Sequence, residues 1–297
     1  MAFQKLTLDA VNRAVSTWDG VAGKSVNVAK VLKALGEQPM ATGFLGGDRG
    51  EQLRADLEAR GIDLDFVKVT SRTRQCVTLL DRSAGTQTEL VEESRPVTAA
   101  DYEELMRVIR RRVGRCRAVV MSGTITPGGP VDLYYQSVLL AREAKAMAVI
   151  DAQGAALLES LRAKPGLVKP NRAELATTLG RELKDERAVM SGMREICERG
   201  AQRVVVTTGE QPALAFDGQR WWRVHALRIE AVNPIGSGDA FAAGLVWRLL
   251  KGDDLGEACR WASAAGAANA LTLLAGEVQR DDVERLADEV KLESIKQ

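Results

Sequence analysis

The sequence predicts an α/β protein: a mainly parallel central sheet with helices on both faces and a small β lid. Three observations predict it. Short apolar runs alternate with longer stretches of helical period through most of the 297 residues, the rhythm of strand–helix–strand units. The runs at Arg117–Met121, Met147–Asp151 and Gln202–Thr207 are apolar without polar alternation, as strands covered on both sides must be. Residues 3–18 and about 70–95 are strand-like with no intervening helix, which sets them apart as a projecting lid.

Taken in order, Lys24 to Leu35 places Val28, Val31, Leu32 and Leu35 at i, i+3, i+4 and i+7 and stops at Gly36, a helix with a C-terminal glycine. Glu51 to Arg60 is a second helix, ended by Gly61. Thr73–Leu80, a turn at Gly85 and Thr86–Val91 form a hairpin over the cleft, placed to exclude water. The strand at Arg117–Met121 leads into the loop 122–130, and Leu133–Ala146 is helical before Met147–Asp151. Leu167–Pro170, a helix from Arg187 to Arg199 and the strand Gln202–Thr207 continue the alternation. In Trp221–His225 the two tryptophans point to opposite faces of a strand, so at most one is expected in the core. An apolar helical run fills Ala240–Leu250. With no repeats or linker-like tracts, residues 1–297 read as one domain with a lid.

Composition excludes several function classes. Lys plus Arg (41) nearly cancels Asp plus Glu (40), which gives no support to a nucleic-acid or membrane-surface partner. The cysteines at 76, 116, 197 and 259 have no C-x-x-C spacing, which argues against a zinc site and a disulfide framework. The first residues lack an apolar signal core, and no apolar run reaches the ~18 residues of a membrane span. A cytoplasmic protein is expected. His225 is the one histidine and has no nucleophile motif beside it, so a Ser/His/Asp triad is not expected and the residue reads as structural.

The segment Asn233-Pro-Ile-Gly-Ser-Gly-Asp-Ala-Phe-Ala-Ala-Gly244 carries the chemistry. Two glycines form a tight turn before a helix, and successive amides at a positive helix end make an anion site. An acid beside an anion is electrostatically misplaced unless it accepts a proton. Asp239 is therefore the candidate general base, and Gly236, Ser237 and Gly238 the amides that hold a transferring phosphoryl group. A dinucleotide fingerprint starting at Gly236 fails because its third glycine would fall on Phe241. A Walker A loop ending at Gly23-Lys24-Ser25 fails because its first glycine would fall on Trp18.

Several other residues admit two readings. Lys24 and Asn27 share the first-turn face of their helix and suit polyol recognition, or cap the helix. Arg74, between Arg72 and Arg82, binds a phosphate in the cleft or belongs to a solvated strand face. Asn171 and Glu174 have the spacing of oxygen ligands for Mg²⁺, through water, or of a helix capping box. Asp151, at a strand end, is a site acid or a helix cap.

These segments together resemble the ribokinase-like PfkB carbohydrate kinases. Val232–Leu245 is similar to the family's C-terminal signature, and Ala22–Gly36 with Gly43-Phe-Leu-Gly-Gly47 to its N-terminal one. Lys169–Leu175 looks like the N-x-x-E segment, and Thr73–Gln75, Ser122–Thr124, Val206–Gly209 and Ala264–Asn269 are further patches that fit the family's order. Gly23-Lys24 with Asn27 is most similar to the 1-phosphofructokinase and tagatose-6-phosphate kinase branch. The resemblance implies ATP-dependent phosphorylation of the primary hydroxyl of a phosphorylated ketohexose, with Mg²⁺. It implies sugar binding by Gly23, Lys24 and Asn27, and binding of the existing phosphate by Arg74, with Thr124 and Arg13 as further candidates. It places Asn171 and Glu174 on Mg²⁺-ATP and Thr207, Gly209, Gly266 and Asn269 around the nucleotide. The alternatives are a kinase of an unphosphorylated sugar or nucleoside, or a catalytically weak sugar- or nucleotide-binding protein. An exposed lid edge favours pairing between subunits, hence a homodimer.

The chain departs from that branch in three places. Its members open with a strand ending in an Asn-Pro-Ala-x-Asp-like segment, whereas Phe3–Arg13 matches the segment that follows it. Asp9 lies beyond the place of the sugar-binding acid, so that acid is expected to be missing from these residues. Arg95 precedes Pro96 and Val21-Ala22 precedes Gly23 where relatives carry glycines, and both loosen the expected sugar site.

Overall fold

A computed structural model describes residues 1–295. The chain begins with β1 (Ala2–Phe3), α1 (Lys24–Ala34), β2 (Met40–Ala41), β3 (Phe44–Leu45) and α2 (Gly47–Ala59). Two short strands, β4 (Asp63–Leu64) and β5 (Val67–Lys68), precede the hairpin β6 (Cys76–Asp81) and β7 (Thr86–Val91). Then come α3 (Ala99–Arg112), β8 (Ala118–Ser122), α4 (Leu133–Glu143), β9 (Met147–Asp151), α5 (Gly154–Leu161) and β10 (Leu167–Val168). The remainder is α6 (Arg172–Leu179), α7 (Glu186–Glu198), β11 (Val204–Thr208), β12 (Gln211–Phe216), β13 (Trp221–Val224), α8 (Ser237–Leu249), α9 (Leu255–Ala270), α10 (Arg280–Glu289) and β14 (Leu292–Ile295).

The main sheet has seven strands in the order β14-β13-β12-β11-β10-β9-β8. From β8 to β11 the pairing is parallel, and from β11 to β14 it is antiparallel. The parallel half comes from strand–helix–strand crossovers, whereas β11, β12 and β13 are joined by short turns. Both faces are covered. Ile150, Val204 and Val206 pack with α3 to α7, while Val149 and Val205 pack with α1 and α8 to α10. Successive side chains of one strand thus enter different cores.

Covering both faces also overturns the expectation for the tryptophans. Trp221 stacks on Phe216 at 4.0 Å in one core, Trp222 lies against Gly256 in the other, and both are buried. The second helix starts at Gly47, before the expected Glu51, and the amide of its N-cap Gly46 donates to Thr73 Oγ1.

The expected lid segments form a separate three-stranded sheet, β1-β6-β7. Its hairpin is where the sequence places it, but 3–18 is not a strand. Only Ala2–Phe3 pairs with β6, and Ser16 adds a bridge to Ala2. Between them the backbone turns: Asp9 has φ 56°, and the Asn12 side chain bonds both the amide and the carbonyl of Thr7. Side-chain bonding of this kind competes with strand pairing. Leu8 and Val11, within that segment, are 96% and 87% exposed. Among the described residues no helix is long and apolar enough to cross a membrane.

Candidate active site

The C-terminal ends of the parallel strands bring charged groups to one crest, the usual place for ligands in an open α/β sheet. Ser122 and Asp151 are the last residues of β8 and β9, Lys169 follows β10, and Thr207 lies near the end of β11. Asp151 and Lys169 are both buried, with Lys169 Nζ 3.4 Å from Asp151 Oδ1. Ser122 Oγ donates to Asp151 Oδ2 at 3.2 Å. The strand-end acid is therefore a site member, since its partners are lysines and a serine.

Helix α1 and its N-cap deliver Gly23, Lys24 and Asn27 to this crest. Gly23 is its N-cap at φ 139°, so neither Lys24 nor Asn27 caps it. Lys24 Nζ donates to Glu174 Oε1 at 2.9 Å and lies 3.6 Å from Asp151 Oδ1. Burial would lower the Lys24 pKa, but Asp151, Glu174 and Asp239 outweigh it and hold the ammonium above its ordinary value. Asn27 is buried and its Nδ2 donates to Asp239 Oδ2 at 2.8 Å.

Asp239 sits in the first turn of α8, only 7% exposed. Burial pushes its pKa from the ordinary 3.8 up to about 6. The Asn27 bond opposes that rise, the Asp151 charge adds to it, and Lys169 and Lys24 pull it back down. Before it stands Gly236 at φ 85°, where a Cβ would come within 2.8 Å of Ala275 Cβ. The Ser237 amide closes a turn on the Pro234 carbonyl at 3.1 Å. That leaves the amides of Gly236 and Gly238, which have no partner among the described residues, as the donors the turn offers.

The turn is braced from behind. Asn233 Nδ2 donates to the Leu273 carbonyl at 2.9 Å, and Asn269 Nδ2 to the Ile235 carbonyl at 2.9 Å. The Gly276 amide donates to Asn269 Oδ1 at 2.7 Å. Asn269 is thus fully buried with its amide engaged inside the protein, and it shapes the glycine turn. Gly266 works similarly: a Cβ there would meet the Ser237 carbonyl at 3.1 Å, so glycine permits close packing of α9 under the turn.

Asn171 and Glu174 realise the capping box. Asn171 is the N-cap of α6, its Oδ1 accepts from the Glu174 amide, and Glu174 Oε2 accepts from the Asn171 amide. With Oε1 taken by Lys24, Glu174 has no uncommitted oxygen. Among the described residues no group of three or more His, Cys, Asp or Glu gathers to hold a metal ion. The donor set does not fit an inner-sphere, protein-held Mg²⁺. Thr207 pairs beside Asn171, and Gly209 makes the exposed β11–β12 turn at φ 66°.

Three predicted residues lie outside this network. Arg74 precedes β6, exposed and without an ion pair among the described residues, whereas Arg72 is held by Asp48. Arg13 is exposed in the turn-rich segment after β1, and Thr124 in the loop after β8. Lys169 is the member that sequence reasoning missed. A lysine directly after an apolar strand was the available signal, since burial of its charge demands an acid partner.

Residues 2–280 match the pfkB family carbohydrate kinases. A putative phosphofructokinase from Staphylococcus aureus is 27% identical, with TM-score 0.79 over 99% of this chain and 94% of that one. Phosphofructokinase-2 from Escherichia coli in complex with fructose-6-phosphate is 26% identical, with TM-score 0.85 over 97% and 93%. A possible 1-phosphofructokinase from Thermotoga maritima, 24% identical over 100% and 95%, shares the fold with TM-score 0.90. With a matching family signature running through almost its whole length and a buried acid behind a glycine turn at the sheet crest, the chain belongs to the PfkB carbohydrate kinase family.

Proposed function

We propose that this protein is an ATP-dependent kinase that phosphorylates the primary hydroxyl of a phosphorylated ketohexose, working in the cytoplasm as one domain with β1-β6-β7 as its lid. The observation that carries the reading is Asp239, buried at the start of α8 beside the glycine turn and oriented by Asn27. Asp239 takes the hydroxyl proton as the sugar oxygen bonds to the terminal phosphorus of ATP, and the bond from that phosphorus to ADP breaks. The Gly236 and Gly238 amides receive charge on the phosphoryl oxygens. Gly23, Lys24 and Asn27 hold the sugar. Arg74, with no ion pair among the described residues, is the cation for its existing phosphate, with Thr124 and Arg13 in support.

The nucleotide lies over Thr207, Gly209 and the α6 capping box, and Gly266 and Asn269 act from beneath by shaping the turn. Mg²⁺ would arrive with the nucleotide and offset charge on its phosphates, with Asn171 and Glu174 as the residues that would hold it through water. The fully exposed strand β7 supports a homodimer through the lid, and phosphofructokinase-2 from E. coli has been described in a tetrameric inhibited form. Turnover of fructose 1-phosphate, fructose 6-phosphate, tagatose 6-phosphate and their unphosphorylated parents tests the reading. A chain that turns over only the unphosphorylated sugars would refute it.

A further inference from the structure

Lys30 is a buried cation outside the catalytic cluster, its side chain only 1% exposed. A buried ammonium is costly unless each of its donors finds an oxygen. Lys30 Nζ donates to two, the Val21 carbonyl at 3.1 Å and the Ala275 carbonyl at 2.8 Å, and forms an ion pair with Glu277 Oε1 at 3.0 Å. Burial pulls its pKa below the ordinary value, Glu277 acts against that, and Arg60 and Asp56 also face the pair.

What those oxygens belong to gives the residue its meaning. Val21 lies in the loop that ends at Gly23 and Lys24. Ala275 lies in the loop between α9 and α10, and that loop touches the site twice. A Cβ on Gly236 would meet Ala275 Cβ at 2.8 Å, and a Cβ on Gly276 would meet Asn27 Cα at 2.8 Å. One ammonium therefore ties the sugar-side loop to the loop that backs both the anion turn and Asn27.

We infer that Lys30 is a positioning residue for phosphoryl transfer, its ammonium clamping these two loops so that Asn27 is held on Asp239 and the Gly236 turn keeps its shape. This rests on the reading of Asp239 as the base. A neutral side chain of similar length fills the space but releases both carbonyls. Asn27 then loosens its grip on Asp239, while the other groups facing that acid, Lys24, Asp151 and Lys169, stay in place.

The test is Lys30→Met. The expected results are a kcat lowered ~10–100-fold at nearly unchanged KM for ATP, the scale of slight misplacement, and an acid limb of kcat/KM moved to higher pH. Exchange of the Gly276 amide should also quicken. Lys30→Gln, which keeps amide N–H donors for the carbonyls, should give smaller changes in the same directions, and it serves as the reporter if the methionine variant does not fold. Unchanged kcat, acid limb and Gly276 exchange would overturn the clamp and leave the base assignment standing. Amide exchange needs no substrate. If the wild type phosphorylates none of the sugars, the kinase reading fails, and the clamp is judged on the exchange alone.

Discussion

Replacing Asp239 by Asn should make the protein inactive and more stable at once. The folded carboxyl titrates at about 6 against an ordinary 3.8, a difference of about 2 units, or about 3 kcal/mol at ~1.4 kcal/mol per unit. The folded state binds this proton more tightly than the unfolded chain does. Its contribution to stability is therefore full below the unfolded value and is lost as pH rises through about 6. Asparagine carries no charge to desolvate, and its Oδ1 still accepts from Asn27. Relative to the wild type, the variant should gain about 3 kcal/mol at about pH 8 and about half that near pH 5. Urea unfolding of both proteins at the two pH values measures the gain. In the same samples turnover should fall ~10²–10⁴-fold, as on removal of a general base. A stability difference independent of pH would refute the assignment of a raised pKa to Asp239, and near-normal turnover would refute its role as base.

Asn27→Ala removes the donor that holds the Asp239 pKa down, so the acid limb of kcat/KM should move up by about one unit, the worth of a hydrogen bond to a charged group; a limb that stays in place counts against the coupling. Gly236→Ala forces a Cβ toward Ala275 at a positive φ, and it should lower stability by about 1–3 kcal/mol and kcat more than KM, both readable by urea unfolding and steady-state kinetics. Arg74→Ala should raise KM about 10-fold or more for phosphorylated sugars, from loss of a charge-assisted contact, and leave unphosphorylated ones unaffected; an equal rise for both would remove Arg74 from the phosphate site.

Much of this site was legible because its residues are held by local geometry. The turn at Gly236 and the Asn171–Glu174 box are contiguous segments whose backbone demands show in residue type and spacing. The helix α1 was legible for the same reason, since its apolar period and terminal glycine are local signals. Long-range pairing was not. Nothing local says that Asn27 meets Asp239 across 212 positions, or that Lys24 bridges to Glu174 and Asp151. Such contacts follow from the order in which strands enter the sheet. The segment 3–18 failed for a related reason: a strand-like run makes a strand only where a neighbouring edge accepts its backbone, and the turns at Asp9 and Asn12 withdraw these residues from β6.

The environment of Asp239 shows two opposing effects set against each other. Burial alone favours the protonated acid, which cannot accept a proton from a sugar hydroxyl. A fully solvated acid ionises readily but is too weak a base to help at neutral pH. The Asn27 donor and the Lys24 and Lys169 charges act against burial and against Asp151, and the balance falls at about 6. At neutral pH the group is thus ionised yet more basic than an ordinary carboxylate. The same ordering accounts for the position of the lysines. They lie against Asp151 and Glu174 rather than in contact with Asp239, and their charges still favour its ionised form. Phosphate charge arriving at the Gly236 turn would act on Asp239 in the same direction as Asp151. Binding of the nucleotide should therefore raise the basicity of Asp239 when the hydroxyl is beside it.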